Sequence, residues 1–135
     1  MSLCMCSAYA RTTERAALAA ARWLGRADQS AAEEAACAGM KAALDTLPIS
    51  GRIVVGATGD GHELEAGATV GDGGLEVDLA LDPLEGRGVV ARGGQGAMSM
   101  IAVGDQGTLS ELPDMYMRKM AVGPRARGHI DRRAA

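Results

Sequence analysis

The apolar residues of this chain change their period once, and that switch constrains the fold more than any other feature. Up to Leu47 they recur every three to four residues, and from Arg52 onward they largely alternate. Ala36, Met40, Ala43, Leu44 and Leu47 fall at i, i+4, i+7, i+8 and i+11, which makes one buried helix face, and Pro48 ends it. Ser30-Ala-Ala-Glu33 reads as the capping box of that helix. An Ala-rich helix precedes it, capped by Thr12 or Thr13 and running to Leu24, with Gly25 as a left-handed stop. In the second half, 52–56 reads as a short strand. The stretch 75–82 alternates, with Leu75, Val77, Leu79 and Leu81 on one face and Glu76, Asp78, Ala80 and Asp82 on the other. Strands are also expected over 97–103 and 115–122. Helices first and strands afterwards predict an α+β fold, an N-terminal helix pair packed on a mixed, mainly antiparallel sheet.

A chain of 135 residues supports one core. A single domain is expected over 1–124, followed by a flexible Arg-rich tail over 125–135 that holds Arg125, Arg127, Arg132 and Arg133. A net charge of -3 leaves no broad basic face, and Trp23, Tyr9 and Tyr116 are the only aromatics, so nucleic acid is not an expected partner. The longest apolar block, 16–21, is cut by Arg22, so no membrane span is expected. The N-terminus lacks a basic segment followed by a long apolar one, and three cysteines suit reduced thiols, which together predict a cytoplasmic protein. Cys4 and Cys6 belong to a frayed end, and Cys37 is expected to be buried and inert.

Chemistry concentrates at Asp82-Pro83-Leu84-Glu85-Gly86. Two carboxylates three residues apart close a strand, and Pro83 and Gly86 are expected to turn both toward one point. Such a pair suits a hard cation such as Mg²⁺ or Mn²⁺; the plainer alternative is a solvated turn. His62-Glu63-Leu64-Glu65 fits no ligand spacing and reads as a solvated loop. The stretch 86–96 holds five glycines with Arg87 and Arg92, but no phosphate-loop or dinucleotide pattern, and reads as a flexible turn. Met98 and Met100 share one strand face and Met115 and Met117 another; core filling is the expectation, with a pliable apolar pocket or interface as the alternative.

Several of these segments keep the order and spacing of one family. Thr13 to Arg26 with Asp28, then Thr46 to Gly51, Ile53 to Gly56, Glu76-Val-Asp78, the Asp82 turn, Tyr116-Met117, Lys119 and Ala121-Val-Gly-Pro124 resemble class II fructose-1,6-bisphosphatases from about Thr13 to Asp131. The resemblance implies the metal-dependent, lithium-sensitive sugar and inositol phosphatase superfamily, and a fold like its N-terminal lobe. It also implies that Asp28, Asp82 and Glu85 are metal ligands and that Tyr116 contacts a sugar. Two motifs depart from the family. Its G-E-G-E is Gly56-Ala57-Thr58-Gly59 here, which loses a ligand carboxylate, and its D-P-L-E-G-T ends here in Arg87 rather than Thr. The chain also stops at less than half the family's length, so the lobe that supplies a further metal-binding Glu and the basic residues for sugar phosphates is expected to be missing.

These departures predict a truncated, catalytically eroded relative without the ancestral phosphatase activity. Arg87 is expected to pair with Asp82 and Glu85 and so oppose a second positive ion. The site is expected to bind an anionic or polyol-like small molecule at Asp28, Tyr116 and Arg87, or to run metal-free acid/base chemistry with Asp82, Glu85 and Arg87 as catalytic residues. No cofactor is expected, with Mg²⁺ or Mn²⁺ at Asp28, Asp82 and Glu85 only if the ancestral site is retained. Loss of a packed lobe exposes apolar surface, which predicts a homo-oligomer. Two alternatives remain: a metal-dependent sugar-phosphate phosphatase completed by a partner or neighbouring subunit, and a non-enzymatic regulatory subunit that docks on a full-length phosphatase.

Overall fold

The computed structural model describes residues 3–57, 63–111, 115–116 and 120–129, with side chains from Met5 onward. Helices α1 (Leu3–Ala21) and α2 (Gln29–Leu44) pack on each other and on one face of a four-stranded sheet. The strands are β1 (Ile49–Val55), β2 (Thr69–Val70), β3 (Leu75–Glu85) and β4 (Met98–Asp105), in the order β2-β1-β3-β4. β1 and β3 run parallel, while β2 and β4 are antiparallel to their neighbours. The mixed, mainly antiparallel sheet behind a helix pair is the α+β arrangement that the change of period implies.

The buried stripe of α2 is Ala36, Cys37, Met40 and Leu44, continued by Leu47 beyond its end. It meets Tyr9, Ala16 and Ala20 from α1, and Ile53, Val77, Leu79 and Leu81 from the sheet. The alternation along β3 therefore has the expected phase, except at Leu75, which is exposed. Gly39 lets the two helices approach, since a Cβ there would lie 2.7 Å from the Arg15 carbonyl oxygen.

Helix boundaries differ from the sequence reading. α1 begins near the N-terminus, so Thr12 and Thr13 lie inside it. Both donate their hydroxyls back to the carbonyls of Tyr9 (2.7 Å) and Ala10 (2.8 Å), which satisfies them without a cap role. The cap of α2 is Asp28, whose Oδ1 accepts from the Ala31 N–H at 3.0 Å, so the Ser30 capping box does not form. Gly25 does take the left-handed conformation, at φ 72°.

The methionine reading is also corrected. Among the described residues only Met40 is fully buried, while Met98 (54%) and Met100 (43%) are exposed. In the expected strand 115–122, residues 117–119 lie outside the described residues, and Met115, Tyr116 and Met120 to Val122 are not in a strand. All five are exposed, and none pairs with a strand among the described residues. Beyond them, Pro124–Ala126 forms a 3-10 turn, and 130–135 lie outside the described residues.

Tyr9 is buried, but its hydroxyl has no partner among the described residues. An unpaired buried hydroxyl costs free energy. Tyr9→Phe is therefore expected to raise stability by about 1 kcal/mol in urea unfolding, and a lower midpoint would contradict this.

Candidate functional site

The C-terminal ends of the parallel strands β1 and β3 open into a cleft of about 410 Å³. Glu33, Ala57, Asp82, Glu85 and Arg87 are among its lining residues. Crevices of this kind, beyond the carboxyl ends of parallel strands, are where open sheets commonly bind ligands.

A bulge in β3 brings the two acids together. Residues three apart on a regular strand point to opposite faces, so Asp82 and Glu85 ought to diverge. Asp82 pairs with Met100 and Glu85 with Met98, so β3 holds one residue more than β4 between these rungs. That extra residue reverses the parity and turns both carboxyls to one side. Pro83, which lacks an N–H for the ladder, sits at the irregularity where the loss is tolerated. The strand thus continues to Glu85 rather than ending in a turn at Asp82. Asp82 Oδ1 accepts from the Leu84 N–H at 3.1 Å. Partial burial, then a hydrogen bond and charge repulsion with Glu85, hold the Asp82 carboxyl above its usual range.

A raised pKa means that ionisation of Asp82 opposes folding, increasingly as the pH climbs above the unfolded value and in full above the folded one, and protonation relieves this. Asp82→Asn is therefore expected to raise the melting midpoint by roughly 2–4 °C at pH 7. The gain should shrink as the pH falls through the raised value, and vanish below the unfolded value near 3.9. A pH-independent difference in thermal melts would show that the charge is not the cause.

Arg87 opens the short helix α3 (Arg87–Ala91), which forms where the glycine-rich sequence alone predicts a flexible turn. Gly86 enables it by taking φ 91°, and its carbonyl accepts from the N–H groups of Val89 and Val90. The far end of α3 holds the loop before α2: Gly25 N–H donates to the Val90 carbonyl and Ala27 N–H to the Ala91 carbonyl, both at 2.9 Å. Ala27 is held at φ 59°, a strained value for a residue with a Cβ. The same short helix therefore carries Arg87 and sets where α2 starts, which places Glu33.

Arg87 forms its ion pair with Glu33, not with Asp82 and Glu85 as expected. The Ser30-Ala-Ala-Glu33 pattern conceals Glu33 as a site residue, because that spacing points to a capping box. Its signal was its phase: Glu33, Cys37, Met40 and Leu44 fall at i, i+4, i+7 and i+11, so the acid continues a core stripe at the sheet's edge. Cys37 is buried as expected, and burial first, then the charges of Glu33 and Asp82, push its thiol up to about 11, which disfavours the reactive thiolate.

Other sequence candidates are not brought into the cleft. Asp28 is spent on capping α2, and fully exposed Tyr116 is not a lining residue. His62, Thr58 and Gly59 lie outside the described residues, while Glu63 and Glu65 are exposed. The expected metal set Asp28, Asp82 and Glu85 does not converge, and no group of three potential ligands does so among the described residues. Asp82 and Glu85 have the right oxygen chemistry for a hard cation, but the nearest third acid, Glu33, is engaged by Arg87. The described donor set does not fit a resident divalent ion.

A helix pair packed on a mixed sheet is consistent with the N-terminal portion of a sugar phosphatase fold. Residues 4–135 match the family model described as bacterial fructose-1,6-bisphosphatase, glpX-encoded, and the chain belongs to that family. It is 46% identical over 127 residues to fructose-1,6-bisphosphatase 1 class 2 of Escherichia coli strain K12, covering 91% of this chain and 38% of that protein. It is 38% identical over 135 residues to the D-fructose 1,6-bisphosphatase class 2/sedoheptulose 1,7-bisphosphatase of Synechococcus sp. strain JA-2-3B'a(2-13), covering 87% of this chain and 39% of that protein. The chain thus spans under two-fifths of the length of these relatives. Among the described residues no helix is long and apolar enough to cross a membrane.

Proposed function

We propose that this chain has a fructose-bisphosphatase cleft in which a guanidinium has replaced metal chemistry, so that it binds an anionic or polyol-like ligand without dephosphorylating it. The observation that carries the reading is the Arg87–Glu33 ion pair at the mouth of the cleft that holds Asp82 and Glu85. A fixed cation there repels a divalent ion and engages an acid that an ion would need. Ala57, also in the cleft, offers no carboxylate from the β1 side. Arg87 can receive an anionic oxygen through parallel N–H donors, while Asp82 and Glu85 can accept from hydroxyls.

Calorimetric titration with Mn²⁺ tests this. The wild type is expected to bind with Kd of about 1 mM or weaker, and Arg87→Thr roughly tenfold more tightly. Micromolar binding by the wild type, with no gain in Arg87→Thr, overturns the reading.

A second reading is favoured by the 46% identity to a named phosphatase together with the 38% span: a metal-dependent sugar-phosphate phosphatase whose site is completed by another chain. Phosphate release from fructose 1,6-bisphosphate with Mn²⁺, appearing only when cell lysate is added, would favour it. Self-association over the exposed Met98 and Met100 belongs with either reading and is checked by light scattering.

A further inference from the structure

On the side of the helix pair away from the sheet, α1 and α2 enclose an open groove of about 720 Å³. Arg11, Arg15 and Leu18 line one wall at i, i+4 and i+7 along α1, and Arg22, the residue just past its end, continues that wall at i+11. The helical rise from Arg11 to the end of α1 at Ala21 is about 15 Å, so Arg11 and Arg22 stand at the two ends of the wall. The floor is made of small residues, including Ala19, Gly39 and Ala43, and Leu18 stands 65% exposed beside it. No carboxylate lines the groove, and none of the three arginines is in an ion pair among the described residues. Arg22 also borders an adjoining hollow where Arg26 lies over the Trp23 ring, 5.8 Å from its centroid.

We propose that this groove docks an acidic amphipathic helix of a partner protein. Two helices side by side form a trough whose small-residue floor admits a third helix at close range. A helix laid along α1 shares its rise per residue, so acids at i and i+4 can meet Arg11 and Arg15 in register, and one near i+11 can meet Arg22 just past the end of α1. Its apolar face covers Leu18 and the alanine floor. A compact anion is a poorer match, because it reaches Arg11 and Arg15, one turn apart, but not Arg22. A second copy is also disfavoured, because an isologous contact would set the three arginines against their own counterparts. The Trp23–Arg26 pair at the end of the trough supplies the residue types that most often anchor interfaces. This docking surface is independent of the cleft chemistry, so it stands or fails separately from the proposed function.

The test uses the full chain and a fluorescent 16-residue helical peptide with Leu and Ala on one face and Glu at i, i+4, i+8 and i+11. Controls are the same residues scrambled, a version with Lys for Glu, and a single-stranded oligonucleotide. The expected result is binding at roughly 10 µM that weakens with salt, at least tenfold weaker with every control. Arg15→Glu and Leu18→Asp should each reduce it at least tenfold while leaving the circular dichroism spectrum and melting midpoint unchanged. Equal binding of the scrambled peptide or the oligonucleotide, no binding at 1 mM, or indifference to both substitutions overturns the proposal. So does light scattering showing a dimer that Arg15→Glu dissociates, because the groove would then be a contact between copies.

Discussion

Asp78→Asn should lower the melting midpoint at pH 7 by on the order of 10 °C, the scale of breaking a buried charged network. Asp78 is 0% exposed and ties three elements together. Its Oδ1 accepts from Arg52 on β1, from Nε at 3.2 Å and Nη2 at 3.0 Å. Its Oδ2 accepts from the N–H groups of Gly107 (2.7 Å) and Leu109 (3.2 Å), in the loop after β4. An amide has one oxygen, so whichever way Asn is placed, its NH₂ faces donors that it cannot satisfy. Burial pushes the Asp78 carboxyl up, but the hydrogen bonds from Leu109, Arg52 and Gly107 outweigh it and hold the carboxyl below its usual range. A lowered folded value means the carboxylate's contribution is full above the unfolded value near 3.9 and is lost as the pH falls through the folded one. The gap between wild type and Asn should therefore stay constant from pH 8 to 5 and close in more acidic buffer. Melts that coincide within about 2 °C at pH 7 would remove Asp78 from any structural role.

The double variant Ala57→Glu/Arg87→Thr is expected to bind Mn²⁺ on the order of 100-fold more tightly than the wild type. Both positions line the cleft with Asp82 and Glu85. The first change adds a carboxylate from the β1 side. The second removes a cation and releases Glu33, so donors become available from α2, β1 and β3 at once. An added ligand and a removed repulsion act on the same ion, so the double variant should exceed Arg87→Thr alone by about tenfold. Thermal melts give a second readout, because an ion that binds only the folded chain raises the midpoint with concentration. If the double variant gains no more than Arg87→Thr, position 57 does not face the ion.

Asp78 also shows where sequence reading stops. Its phase was legible, opposite Val77 and Leu79, and that phase ordinarily means solvent. Residues 107–109 fold back over the outer face and supply two N–H donors, a contact across about thirty positions with no local signature. Asp82 and Glu85 were recognisable as a pair from their spacing, but their convergence comes from a bulge set by the pairing of β3 with β4. Arg87 was visible as a cation beside two acids. That it turns to Glu33 follows from α3 pinning the loop that starts α2.

What the order of residues decided unaided was periodic: the helix face through Met40 and Leu44, the strand face through Val77 and Leu79, and the α+β class. Burying an apolar stripe is a property of one element, so its spacing alone reveals it. Which acid meets which cation, and which carboxylate loses its water, depended on the packed molecule. Charge pairing joins side chains from separate elements, and an angstrom of placement or one extra residue in a strand changes the partner.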